Sequence, residues 1–284
     1  MSSRLLVFCL VLPSALFALP LPGRNLDDPI APGSAVTYAK LLRLICPDLA
    51  VRTDDPGRAT ATHAPEVREL GKRPQPADGE LSGKFEIESV KTVALLPLPR
   101  LRALVTFALN SEDSQPDRLV GLFELTPSPR LVDIVSVPGF PDDPGDYESR
   151  IRLNPGTDAY RFDAYHSNSS QGYQLSTILF VRGDRIEKVL DVALLSSRGE
   201  DAAHSFTETL ELSSVPDPGG RYAGVLVRVT FKREADEPES QHRPRRPSYR
   251  RFYSATYRWD PAARQFRTTS REVLALEAFN LKEY

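Results

Sequence analysis

The chain is poor in the residues that cross-link, ligate or activate. Among 284 residues there are two cysteines, four histidines, one methionine and one tryptophan. One cysteine, Cys9, lies in an N-terminal apolar run, so a chain processed after that run keeps Cys46 alone and forms no internal disulfide. The histidines, His63, His166, His204 and His242, make no HxH, HExxH or Cys-paired pattern, so no zinc site is written locally. There is no GxSxG elbow, no P-loop and no GxGxxG turn, which removes the commonest hydrolase, kinase and dinucleotide enzymes. Nor is there an excess of one charge. Thirty-six basic residues face 38 acidic ones, for a net charge of −2. Such a chain has no global electrostatic reason to hold nucleic acid or an anionic membrane. After residue 18 no apolar run is long enough to span a bilayer as a helix.

What is present is the composition of a folded protein, 40% hydrophobic and 26% charged. Residues 1–18, MSSRLLVFCLVLPSALFA, have a positive Arg4, an apolar run from Leu5 to Leu12, a break at Pro13 and small Ala15 and Ala18. That is the pattern of a secretory signal peptide and predicts a periplasmic or secreted protein. Lipidation at Cys9 is disfavoured because Phe8 precedes it where a small residue is needed. The aromatic C-terminus, Tyr284, raises an outer-membrane barrel. Counting back in twos gives Lys282, Asn280, Ala278 and Leu276, and two of these are polar, so the lipid-facing pattern fails.

The remaining chain divides by composition. Residues 19–33 are a Pro- and Gly-rich extended leader. Residues 34–83 read as one helix followed by an irregular arm with at most a short strand. The helix opens at Ser34 as N-cap, with Val36, Ala39, Leu42, Leu44, Ile45 and Leu49 on its apolar face, and Pro47 ends it near Cys46. Cys46 itself follows Leu44–Ile45 and reads as a buried small hydrophobe.

From residue 84 to 284 the pattern is of antiparallel strands. Leu119–Leu125 and Leu131–Val137 flank a Pro-set turn, and Tyr173–Arg182 and Arg185–Leu195 flank Gly183–Asp184. Phe206–Val215 and Tyr222–Lys232 flank a Pro-Gly turn, Phe252–Trp259 and Phe266–Leu274 flank Asp260–Arg264, and the tail from Leu276 is expected to pair last. The fold expected is mainly β, a hairpin-rich sandwich or curved meander with one N-terminal helix. The hairpins resemble the outer pairs of secreted β-propeller blades, so a propeller-like arrangement is the alternative. Trp259, before Asp260–Pro261, is expected to anchor the core or a sheet edge.

Three stretches carry candidate chemistry. Residues 160–173 contain Tyr160, Asp163, Tyr165, His166, Asn168 and Tyr173, read as a strand ending at Ala164 and then a polar, tyrosine-rich loop suited to ligand binding. Asp142, Asp143, Asp146 and Glu148 lie in a Pro/Gly turn and offer oxygen ligands for calcium, although the EF-hand spacing is absent. Residues 233–250 form a charged loop expected to be mobile. Acidic Glu234 to Glu239 precede basic Arg243, Arg245, Arg246, Arg250 and Arg251, a patch for an anionic polymer that the acidic run largely neutralises.

The function expected is that of a non-catalytic exported protein binding a protein or an envelope polymer, without nucleic acid and with no cofactor beyond calcium. The alternative is an exported hydrolase whose acid/base pair, for example Asp163 with a distant Glu, is assembled from separate strands. A pocket holding two carboxylates or a His–carboxylate pair with perturbed pKa values would favour the hydrolase, and a flat charged surface the binding protein.

Overall fold

The computed structural model describes residues 25–31, 33–63, 67–70, 82–96, 100–111, 114–137, 150–167, 171–199, 205–233 and 248–283. The proposed signal peptide, the Asp142–Glu148 turn, Asn168 and residues 234–247 of the charged loop lie outside them. The structure is mostly strand, in two sheets, with two helices.

The first sheet contains β1 (Ala50–Val51), β2 (Ala59–His63), β3 (Arg68–Glu69), β4 (Ser82–Leu96), β5 (Arg102–Ser111), β6 (Ser114–Glu124) and β7 (Arg130–Val137). Their order is β1-β2-β4-β5-β6-β7-β3. Neighbours are antiparallel except the short β3–β7 pair, which is parallel. Strand alternation sorts the side chains. Ala103, Val105, Phe107, Leu109, Leu119 and Phe123 face a core with the N-terminal segment, while Leu104, Val120 and Leu122 face the second sheet. Within the N-terminal segment, α1 spans only Tyr38–Leu42. Its cap is Thr37, whose hydroxyl accepts from the Lys40 N–H at 3.3 Å, not the expected Ser34. Ser34 instead accepts the Val36 N–H at 3.0 Å, a local turn that competes with helix. The arm after the helix supplies β1, β2 and β3, more strand than its Pro- and Gly-rich composition suggests, because β2 has β4 to pair with.

The second sheet is a meander in chain order: β8 (Arg150–Asn154), β9 (Thr157–Ser167), β10 (Gln171–Arg182), β11 (Arg185–Gly199), β12 (Ser205–Val215), β13 (Gly224–Arg233), β14 (Tyr249–Asp260) and β15 (Gln265–Arg267). β11 and β12 pair only at Arg198–Phe206 and Gly199–Ser205. In a flat sheet β8 and β12 would lie about 19 Å apart, four strand spacings. Yet the Ala223 N–H, immediately before β13 and so one spacing further still, donates to Leu153 O of β8 at 2.7 Å. The sheet therefore folds over at the β11–β12 junction. Its two halves enclose one core containing Ile151, Leu153, Ile178, Val192, Val225, Val227, Ala255 and Tyr257. The arrangement is sandwich-like and no barrel closes. Two continuous sheets, rather than separate blades, give the propeller-like alternative no support.

The C-terminal tail is not a last strand. β15 ends at Arg267, and Arg271–Glu283 form the helix α2, the second helix of the fold. Its sequence, REVLALEAFNLKE, is dominated by strong helix formers, and Val273, Leu276 and Asn280 recur at helical spacing. These three residues are buried, so the helix packs on the second core. Trp259 is half-buried against that core, edge-on to Tyr222 at 5.1 Å and to Phe266 at 5.4 Å, as an anchor.

The two sheets share a third core formed by Leu104, Val120, Leu122, Val135, Val137, Tyr160, Phe162, Leu179 and Ile186. Polar clamps flank it. Arg102 of β5 donates to Gly183 O at 2.6 Å and Asp184 Oδ1 at 2.5 Å in the β10–β11 turn. Asp133 of β7 accepts the Ile186 N–H at 2.7 Å and Arg68 Nη2 at 2.5 Å.

Candidate binding site

The most ligand-like surface is the end of the β12–β13–β14 ribbon. The register sets Phe206, Arg233 and Tyr249 on one rung, Thr207, Lys232 and Arg250 on the next, and Glu208, Phe231 and Arg251 on the third. The first and third rungs point to the same face as the core residues Val227, Val229 and Ala255. Phe206 stacks on Phe231 at 4.9 Å, and Phe231 on Tyr249 at 5.5 Å, with interplanar angles of 27° and 26°. The result is a ledge of three near-parallel rings. Arg233 lies over Tyr249 at 5.7 Å and Arg251 over Tyr253 at 4.8 Å. These separations place guanidinium groups on aromatic faces, which holds them in position. Tyr249 is 46% exposed and Arg251 is exposed, while Phe206 and Phe231 are half-buried, so the ledge meets solvent at its Tyr249 end. On the outward face, Phe252 is 68% exposed. Between Lys232 and Arg251 the sequence carries seven basic and four acidic residues, a local excess of three positive charges in a chain of net −2.

The residues expected to form a binding loop do not come together. The strand predicted to end at Ala164 runs on to Ser167 and pairs with β10 throughout, because polar residues alternate with apolar ones that the sheet buries. Alternation then splits the set. Tyr160 and Tyr173 share one face, and Asp163 and Tyr165 the other, while His166 is paired with Tyr173 in the β9–β10 register. Tyr160 is buried in the inter-sheet core, and desolvation raises its hydroxyl pKa to about 12. Tyr173 is buried and Tyr165 half-buried. Asp163 is buried too, and its Oδ1 accepts Ser176 Oγ at 2.5 Å and Arg161 Nε at 2.8 Å. That carboxylate is a structural partner with both donors supplied by its own sheet. Asn168 and the proposed calcium ligands Asp142, Asp143, Asp146 and Glu148 fall outside the described residues.

Among the described residues two carboxylates have raised pKa values, and both were missed in the sequence. Glu208 is 3% exposed, and burial pushes it up to about 7. Its Oε2 accepts the Leu195 N–H at 3.1 Å and Asn280 Nδ2 at 2.8 Å. Glu277 of α2 is raised by burial and accepts from Tyr257 Oη at 2.6 Å. The alternation of β12 places Glu208 inward, but only the docking of α2 buries it. Both carboxylates lie in the seam between α2 and the sheet, not in a cleft open to substrate. A groove of about 270 Å3 beside β8 is lined by Arg152, Leu153, Asn154, Pro155, Ser214, Val215, Pro216 and Ala223, and has neither carboxylate nor histidine. The His63–Asp48 pair, 3.1 Å apart, has its histidine on the open surface, and Asp48 is held low by hydrogen bonds from Thr62. Among the described residues no group of three or more His, Cys, Asp or Glu side chains is placed to hold a metal. Cys46 is fully buried and desolvation raises its thiol to about 12, so it is no nucleophile at neutral pH. Also among the described residues, no helix is long and apolar enough to cross a membrane.

Compared with protein-family models, with curated proteins and with solved structures, the chain matches none of them.

Proposed function

We propose that this chain is an exported, non-catalytic binding protein that takes an acidic polysaccharide at the free end of β12–β14. The observation that carries this reading is the ledge of Phe206, Phe231 and Tyr249 beside the exposed Arg251, whose guanidinium lies over Tyr253. The exposed aromatic carbon of Tyr249 offers apolar area to a sugar ring, and a guanidinium group pairs with carboxylates in a bidentate way. An extended ribbon suits an extended polymer. The signal-peptide pattern of residues 1–18 would deliver the protein to where such polymers are found. The hydrolase reading is less supported, because the two carboxylates with raised pKa values sit in helix packing while the groove beside β8 has no acid or base.

The test is co-sedimentation of the purified protein with an insoluble polyuronate, with a neutral glucan as control, across a salt series. Binding is expected for the polyuronate only, weakening as salt rises because the attraction is between exposed charges. Arg251→Ala should abolish it, and Tyr249→Ala should weaken it at least fivefold, with circular dichroism unchanged. Equal binding to both polymers, or full binding by Arg251→Ala, would refute the assignment. Failure to bind any polymer, with recovery of a protein by crosslinking through this ribbon, would transfer the site to a protein partner.

A further inference from the structure

The seam between α2 and the folded sheet contains an unusual pairing that stands independently of the ledge. Asn280 reaches from α2 into the core at 2% exposure. Its Nδ2 uses both hydrogens, donating to Ala193 O of β11 at 3.1 Å and to Glu208 Oε2 of β12 at 2.8 Å. Asn280 is thus bonded to both strands on either side of the fold-over, where β11 and β12 have all but ceased to pair with each other. The other two oxygens of this pair, Glu208 Oε1 and Asn280 Oδ1, are both buried and neither has a hydrogen-bond partner. Two buried acceptors on side chains already joined by one hydrogen bond is a costly arrangement, because neither can donate.

One proton removes both defects. A neutral carboxyl carrying hydrogen on Oε1 becomes a donor and can turn it toward Asn280 Oδ1, while Oε2 goes on accepting from Asn280 Nδ2. Acid and amide then close a ring of two hydrogen bonds, and each functional group is satisfied. We infer that Glu208 is protonated in the closed structure, with Asn280 as its hydrogen-bond partner, and that this acid–amide ring is a pH-operated latch for the C-terminal helix. Loss of the Oε1 proton to solvent leaves a buried carboxylate facing an amide oxygen, and the helix is released to hydrate it.

Desolvation favours the neutral form, against the Leu195 N–H and Asn280 Nδ2 donors, which favour the charged one. β11 presents only the Leu195 N–H and the Ala193 carbonyl. On Glu208's own rung, two strands away, Arg251 of β14 lies over Tyr253, and on the next inward rung Arg233 of β13 lies over Tyr249. α2 brings Glu277, a further acid, bonded to Tyr257 Oη of β14. Burial is the dominant influence on Glu208, and the direction it gives is upward, to about 7. A carboxyl whose pKa is raised in the closed state stabilises that state fully below its ordinary value of 4.5 and loses the contribution as pH rises through about 7. The latch is therefore shut in mild acid and loosened in mild alkali.

Hydrogen exchange of the full-length protein, corrected for intrinsic rates, tests this. Protection of the α2 amides should fall about thirtyfold between about pH 5.5 and pH 8.5, as follows from a closed-state value near 7 and an open-state value of 4.5. Core amides of β5 and β10 should not follow. Glu208→Gln, neutral at every pH and able to make the same ring, should keep α2 protected across the range. Protection of α2 that is independent of pH in the wild type, or that falls equally in Glu208→Gln, would overturn the latch. Should that variant not fold, infrared spectroscopy of the wild type decides. A neutral-carboxyl band that bleaches with a midpoint near 7 supports the latch, and its absence at about pH 5.5 refutes it.

Discussion

Replacing Asp133 tests whether the two sheets are joined by specific polar contacts or by apolar packing alone. The side chain is 12% exposed and stands on β7 at the rim of the inter-sheet core. Its Oδ2 accepts the Ile186 N–H at 2.7 Å and Arg68 Nη2 at 2.5 Å, and its Oδ1 accepts the Ile134 N–H at 3.0 Å. Arg68 Nη2 also donates to Ile186 O at 2.7 Å, so three segments meet at one carboxylate. Asp133→Ala strands the Ile186 N–H, a backbone donor beside a fully buried residue, which costs about 1–2 kcal/mol. It also removes a partly desolvated ion pair. Arg68 is 26% exposed and keeps its bond to Ile186 O, so water recovers part of that loss and about 1 kcal/mol remains. The total is about 2–3 kcal/mol. Asp133→Asn keeps one acceptor oxygen and the volume, and should cost about half as much. Urea denaturation monitored by Trp259 fluorescence and circular dichroism measures both. The ordering Ala worse than Asn worse than wild type is expected, with a coupling to Arg68→Ala of about 1 kcal/mol in a double-mutant cycle. Losses within about 0.5 kcal/mol for Asp133→Ala, the range of an ordinary surface substitution, would refute the reasoning.

Two further substitutions separate packing from function. Gly121 of β6 faces Phe123, and a Cβ there would meet Phe123 Cε2 at 2.6 Å, against a ring that is fully buried. Gly121→Ala should therefore destabilise by about 1–3 kcal/mol through overpacking, and an unchanged melting temperature would show that the ring can give way. Asp163→Asn keeps the shape but weakens the bonds to Arg161 and Ser176, so stability should fall by about 1–2 kcal/mol while polyuronate binding is unaltered. A loss of binding at full stability would restore Asp163 to a ligand site.

The hairpins were legible in the sequence because their causes are local. Gly183 takes a positive φ of 57° in the turn between β10 and β11, and alternating apolar residues on either side fix which face is buried. The inert character of Cys46 was legible for the same reason, from its apolar neighbours. The C-terminal helix was also written in its residues, but Leu274 and Phe279 lie on the exposed side, which blurs the apolar stripe. The aromatic-basic ledge was visible only as a run of charge, since stacking Phe206 on Phe231 and Tyr249 needs three strands in register.

Sequence by itself determined that this is a strand-rich chain punctuated by Pro and Gly, with no disulfide scaffold and no local catalytic motif. Those properties follow from residue type and nearest-neighbour conformational preference. Tertiary structure decided the rest. It folded the second sheet over at β11–β12, divided the tyrosine-rich stretch between two faces, and set Glu208 against Asn280 from 72 residues away. The physical reason is that burial and hydrogen-bond completion are properties of surfaces brought together. A carboxylate has its ordinary pKa until a helix from the far end of the chain removes the water around it.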